Sequence, residues 1–442
     1  MLFSNKDLRK LLIPLLLEQV LIVLVGMVDT MMVSGVGEAA VSGVSLVDSL
    51  NLLLSCLFAA LATGGAVICS QFIGKKDMDK AALSAKMLFY VVLLVSGGMM
   101  LLCVALRNPL LRLVYGHIDA DVMGYAQTYF LMTALSYPFL AVDSASCAVL
   151  RAQGNSRMTL VSAVMVNLIN VCGNWVTINV FGWGVFGAGL STLIARICGS
   201  VFSQMALGEH HCRFPRPKLL QLQWNRDIVG KIMTVGLPNG FENSIFQLGK
   251  LLLLRLVSTF GTVSIAANAV GNSLSAFQVL PGSAMGLAMI TVVGQCVGAR
   301  QFDQVRYYVK KLMIMLYACM GTLNILMLLC QDFLVSLYNL SPETAQLAWT
   351  VTAIHGVGSI FLWPMAFTFP NALRAAGDTR YTMTISIFSM MAFRVVFGYI
   401  LAAGLGMGVT GVWIAMQIDW VFRIIMFVRR YLSRKWESKV LV

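Results

Sequence analysis

Charge is scarce in this sequence: Asp, Glu, Lys and Arg supply 12% of its 442 residues and hydrophobic side chains 58%, against about a quarter charged in a soluble domain. So few charges cannot coat the water-facing surface of a soluble protein of this length. Histidine is scarcer still. His117, His210, His211 and His355 fall in no metal-ligand spacing, and His211 beside Cys212 reads as loop chemistry. No Cys-x-x-Cys pair occurs among the ten cysteines, which lie mostly inside apolar runs and read as small hydrophobic fillers with free thiols. A Walker-type phosphate loop is absent, so pumping would draw on an ion gradient or on a partner subunit. Neither a metal centre nor any other cofactor is expected.

What is present is lipid-soluble length. Mean hydropathy is +0.81, and apolar segments of about 20 residues, each long enough to cross a hydrocarbon core of about 30 Å, recur along the chain. They predict spans at 11–33, 46–70, 87–106, 124–149, 159–181, 185–207, 232–257, 268–293, 308–330, 348–372, 383–403 and 408–429. The first is too long for the apolar core of a signal peptide and is read as a span. Lysine and arginine crowd alternate connections, among them Lys75 and Lys76, Arg151 and Arg157, Arg300 and Arg306, and Arg429 to Lys439, whereas the opposite set holds Arg107 and Arg112 beside Asp119 and Asp121. The positive-inside rule then places both termini in the cytoplasm. It also accounts for the net charge of +13 without nucleic acid, leaving anionic lipid headgroups as the natural neighbours.

The sequence repeats itself at a spacing near 224 residues. Pro14-Leu-Leu-Leu-Glu18 answers Pro238-Asn-Gly-Phe-Glu242, and Gln71-x-x-Gly74 answers Gln295-x-x-Gly298. Leu150-Arg-Ala-Gln-Gly-Asn-Ser-Arg157 answers Leu373-Arg-Ala-Ala-Gly-Asp-Thr-Arg380, and Gly184-Val-x-Gly187 answers Gly408-Val-x-Gly411. Six spans per half make the halves parallel repeats about an axis along the membrane normal. The expected architecture is all-α: twelve transmembrane helices in two six-helix pseudo-twofold lobes with a central cleft. The N-lobe takes residues 1–207, a cytoplasmic linker 208–231, and the C-lobe 232–442 with a short basic tail. Two lobes that rock suit a transporter working by alternating access. Gly154 and Gly377 suit left-handed helix ends and Arg151 and Arg374 a last helical turn, a structural or gating role shared with Glu18.

Ionisable residues inside lipid mark function by default. Asp29, in Leu24-Val-Gly-Met-Val-Asp29-Thr30, would have to carry a proton or hold a cation such as sodium, unless it reaches water at the end of its span. Asn167, Asn170 and Asn174 recur at helical spacing in the fifth span, and Thr192 in the sixth can join them; such amides can also simply tie helices together. In the second half, Glu242, Lys250, Arg255 and His355 form a candidate substrate or polar site, and in the first half Asp143 is a candidate cavity residue. Arg196, Arg394, Asp419 and Arg423 are further buried candidates, the last two at helix-pair spacing. Plentiful Met and aromatic residues support an adaptable substrate wall only weakly.

Together Pro14 to Gly35, Ser70-Gln-Phe-Ile-Gly74, the paired Leu-Arg-Ala-x-Gly elements and Gly184-Val-Phe-Gly-Ala-Gly189 resemble the multidrug and toxic compound extrusion family, in its prokaryotic DinF-like branch. The resemblance spans essentially the whole chain. It implies a multi-pass protein of the prokaryotic cytoplasmic membrane, working as a monomer, that exports cationic or amphipathic compounds against protons or sodium. It also implies that Asp29 is the N-lobe acidic residue of cation binding, with Asn170 and Thr192 beside it. Asn174 stands where some members carry a second acid, which favours protons over sodium. Span ten offers His355 and no carboxylate, which counts against a sodium site in the C-lobe. The alternatives are export or flipping of an endogenous metabolite or lipid-linked precursor and, more distantly, a membrane-embedded enzyme, for which the histidines are too scattered.

Overall fold

The computed structural model describes residues 2–116, 119–208, 214, 221 and 223–442, with Met27, Thr30 and Ser34 as backbone only. His117, His210, His211 and Cys212, and with them half of the expected 208–231 linker, including Arg213, Arg216 and Lys218, lie outside the described residues. The chain folds as two compact units, Asn5–Gly240 and Phe241–Val442 with Met1–Ser4, so the division falls inside a helix.

The first unit holds α1 (Asn5–Ser34), α2 (Glu38–Gly74), α3 (Met78–Ala105), α4 (Arg107–Tyr115), α5 (Ala120–Leu135), α6 (Tyr137–Ala152), α7 (Ser156–Asn174), which runs on as a π-helix over Trp175–Val180, and α8 (Gly184–Ala206). Helix α9 (Arg226–Ser258) begins in this unit and ends in the second. The second unit continues with α10 (Thr262–Gln278), α11 (Leu280–Gly298), α12 (Phe302–Leu329), α13 (Gln331–Ser336), α14 (Pro342–Phe361), α15 (Pro370–Ala375), α16 (Thr379–Ser389), α17 (Phe397–Tyr399) and α18 (Gly408–Leu432). Within the first unit α2 packs on α5 and α6, and α7 on α1 and α8; within the second α10 packs on α14 and α11 on α12.

Nine helices among the described residues are long and apolar enough to cross a membrane, and up to eleven if each of two bent pairs is one span. The pairs are α5 with α6, bent by 46°, and α14 with the stretch Pro364–Ala375, a π-helical turn that runs into α15, bent by 63°. Pro138 lies at the first break and Pro364 at the second, where a missing N–H and a fixed φ interrupt the helical ladder. Helix α9 is not among the nine: Arg226, Asp227, Lys231, Glu242, Lys250 and Arg255 interrupt its apolar surface. The expected single span at 268–293 is divided into α10 and α11, because Pro281 opens a new helix. Gly282 beside it leaves no room for a side chain, since a Cβ there would meet the Trp363 ring at 1.8 Å.

The repeat is visible as geometry. The Arg-Ala-x-Gly ends of α6 and α15 close alike, with φ of 86° at Gly154 and 97° at Gly377. Asn155 N–H donates to Leu150 O at 2.9 Å, and Asp378 N–H to Leu373 O at 3.0 Å, the six-to-one bond that satisfies orphan carbonyls at a helix end. The second glycine of Gly-Val-x-Gly seats each following helix against the π-helical end of the one before. A Cβ on Gly187 would meet Thr177 at 2.7 Å, and one on Gly411 would meet Ala402 N at 2.8 Å.

Candidate functional site

In the first unit α1, α7 and α8 bring Asp29, Asn170, Asn174 and Thr192 together. Asn174 donates from Nδ2 to Asp29 Oδ1 at 3.0 Å. In the orientation that satisfies its donors and acceptor, the Asn170 amide donates to Asp29 Oδ1 at 2.7 Å and Oδ2 at 3.1 Å and accepts from Thr192 Oγ1 at 3.1 Å. Residues four apart on one helical face make this possible: Asn170 and Asn174 are both buried on α7, where their amides converge on one carboxylate. Asn174 Oδ1 is buried with no partner. It is therefore an acceptor left open beside Asp29, suited to a protonated carboxyl or a small hard cation. No three His, Cys, Asp or Glu side chains converge on a metal position among the described residues. A sodium ion would depend on Asp29, Asn174 Oδ1 and the Thr192 hydroxyl, and these oxygen donors fit it.

Sequence reasoning missed Asp48. Its charge acts on Asp29, and its carboxylate accepts hydrogen bonds from Asn51 at 3.3 Å and from Tyr129, with Arg196 within electrostatic reach. Asn51 Oδ1 in turn accepts from Tyr137 at 2.9 Å, and Arg196 donates to Ser136 Oγ at 2.6 Å. Asp48 stands near the start of its expected span, where an acid passes for an interfacial residue; the signal available was its place in an otherwise apolar stretch.

The remaining candidates are distributed over separate clusters. Arg151 meets Glu18 at 3.2 Å, and Thr159 donates to the other Glu18 oxygen at 2.7 Å. The second unit repeats this pair: Arg374 meets Glu242 at 2.5 Å, with Asn371 accepting from Arg374 at 2.8 Å. Asp143 accepts from Ser162 at 3.3 Å and lies within electrostatic reach of Glu18 and Arg151. His355 is hydrogen-bonded to Gln278 Oε1 at 2.5 Å and Ser359 Oγ at 3.1 Å, edge-on to Trp413 and Trp420. Lys250 lies over the Phe246 ring, 5.1 Å from its centroid, and Arg255 is exposed at the end of α9. Glu242 and Lys250 thus face different partners, as their eight-residue separation along the helix requires.

Comparison with known proteins fits this duplicated arrangement. The family model described as MatE matches residues 14–176 and again 238–400, once per repeat, and the chain belongs to the MatE family. It is a multi-pass membrane transporter. Its relatives include the "Uncharacterized transporter YisQ" of Bacillus subtilis, 27% identical, with 96% of this chain and 94% of that protein covered. Another is the "Probable multidrug resistance protein NorM" of Thermotoga maritima, 24% identical, with 99% and 94% covered. Among solved structures, an outward-facing multidrug resistance MATE family transporter of the MOP superfamily superposes with a TM-score of 0.91 at 19% identity, covering 98% of this chain and 97% of that one. A MATE in the bent conformation gives 0.90 at 19%, covering 98% and 96%. At that identity the likeness is one of fold.

Proposed function

We propose that this chain is a cation-coupled exporter, driven by protons in preference to sodium, that moves cationic or amphipathic compounds out of the cell by alternating access. The observation that carries the reading is the carboxylate of Asp29, held by two amides of α7 beside the open acceptor Asn174 Oδ1. A carboxylate with donors on both oxygens is stable when charged. Once neutralised by a proton it loses the charge-assisted part of those bonds, so proton binding and the packing of α1 against α7 are coupled. Multidrug resistance proteins among the relatives support the substrate class.

The test is dye efflux from inverted vesicles energised by a proton gradient. Asp29→Asn keeps the side-chain volume and removes the titratable charge, and it is expected to lower gradient-driven efflux by about tenfold or more, the scale of one lost charge-assisted interaction. Efflux at the unmodified rate would refute the coupling role.

A further inference from the structure

Inside the first unit a chain of contacts leads from Asp29 to Asp48 by way of Arg196. Asn170 of α7 holds Asp29 and accepts from Thr192 of α8 at 3.1 Å. Arg196 follows Thr192 by four residues, one turn further along the same face of α8. Its Nη1 donates to Ser136 Oγ at 2.6 Å, and that hydroxyl is placed to accept because it gives its own proton to Thr133 O, also at 2.6 Å. Ser136 is the residue between α5 and α6, at the 46° bend. Its neighbour Tyr137 donates to Asn51 Oδ1 at 2.9 Å, and Asn51 donates to Asp48 Oδ1 at 3.3 Å on α2. Tyr129 of α5 donates to Asp48 as well. Arg196 and Asp48 are thus anchored at one break in a span, and Asp48 lies within electrostatic reach of Asp29.

Hydroxyls and amides alone would tie these helices together at less cost than charges within lipid. The helices packed on α1 are α2, α7 with its π-helical end, and α8. Their charged residues are Glu38 and Asp48 on α2, Arg157 on α7 and Arg196 on α8. Glu38 and Arg157 occupy first turns, which leaves Asp48 and Arg196 as the two set within the helices. The other titratable side chains on these three helices are the thiols of Cys56, Cys69, Cys172 and Cys198. On α1 itself Glu18 stands about 16 Å along the axis from Asp29 and is paired with Arg151. Asp29, Asp48 and Arg196 together carry one net negative charge, so a single proton on Asp29 brings the set to neutrality. A negative neighbour favours proton uptake by a carboxylate and a positive one opposes it.

We infer that Asp48 and Arg196 are positioning residues of the coupling site: their opposed charges, held at the bend by Ser136 and Tyr137, set the pH at which Asp29 takes up and gives up its proton. The inference rests on the reading of Asp29 as the proton carrier and adds what tunes it. A unit charge acting over about 10–15 Å at an effective dielectric constant of about 20 is worth roughly one pH unit. Asp48 is exposed and Arg196 half-buried, so neither effect reaches that of a dry interior.

The full chain is reconstituted in phosphatidylcholine nanodiscs and titrated from about pH 4 to about pH 9, with the infrared C=O stretch of protonated carboxyl groups as the readout. The component lost in Asp29→Asn reports Asp29. Asp48→Asn should move its midpoint down by about one pH unit and Arg196→Gln up by about one. Asp48→Glu and Arg196→Lys, which keep the charges, should stay near the wild-type midpoint. A merely structural tie would move neither midpoint, or both the same way. Should Arg196→Gln fail to fold, the two Asp48 variants still decide. Unmoved midpoints, shifts in one common direction, or no titrating component from Asp29 overturn the inference. No export is measured, so the two readings fail separately. Opposed shifts with dye efflux undiminished in Asp29→Asn keep the tuning and refute the coupling role; unmoved midpoints with efflux lost in Asp29→Asn do the reverse.

Discussion

Asp29 and Asn174 show how one atom sets the character of an intramembrane site. The Asn174 amide donates to Asp29 Oδ1 at 3.0 Å, so an acid at the same position would set two carboxylates against each other. Like charges that close cannot both ionise without a shared proton or a cation between them. Asn174→Asp is therefore expected to make efflux respond to sodium, measured as the sodium dependence of dye export at fixed pH; export as indifferent to sodium as the unmodified protein's would contradict that account. The buried pairs Glu18 with Arg151 and Glu242 with Arg374 are a different use of charge. Each partner neutralises the other inside its own unit, and leaving one alone would strand a buried charge at a cost of about 3–5 kcal/mol.

Equivalent glycines at the ends of α6 and α15 share a left-handed backbone but not their surroundings. A Cβ on Gly154 would meet nothing within 4 Å, whereas one on Gly377 would meet Lys439 O at 2.4 Å and Leu441 Cγ at 2.9 Å. Gly154→Ala should therefore cost only the left-handed conformation, about 1–2 kcal/mol. Gly377→Ala should add overpacking of about 1–3 kcal/mol against the C-terminal tail. Thermal inactivation midpoints in detergent should rank wild type above Gly154→Ala and Gly154→Ala above Gly377→Ala. Equal midpoints for the two variants would show that the tail does not press on the α15 cap. The glycines themselves were legible, because few residues other than Gly tolerate such φ values and the Leu-Arg-Ala-x-Gly spacing places them at a helix end. The division of 268–293 into α10 and α11 was not legible. Pro281 allows a break, but the Trp363 ring packed against Gly282 belongs to a helix far away in sequence.

For the whole molecule, the charge asymmetry between alternate connections predicts which loops face the cytoplasm. In a background without native cysteines, Lys75→Cys, between α2 and α3, should react with a membrane-impermeant maleimide only after cells are permeabilised. Glu343→Cys, at the start of α14, should react in intact cells. The reverse pattern would invert the orientation. Labelling of both from outside would break the alternation that the repeat demands, since each half must enter and leave on one side.

Composition and the internal repeat were enough to determine that the chain is a duplicated helical membrane protein, because lipid tolerates few backbone solutions and a repeat writes itself into sequence at fixed spacing. They also pointed to Asp29, Asn170, Asn174 and Thr192, since a lone acid and same-face amides stand out against apolar runs. Only the tertiary structure decided which charges face which. It gave Glu242 to Arg374, set Asp48 within electrostatic reach of Asp29, and gathered Lys250, Arg394 and Arg423 around one phenylalanine. Helical periodicity fixes the face a residue occupies on its own helix, whereas the partner comes from another helix, whose rotation and depth depend on packing across the whole unit.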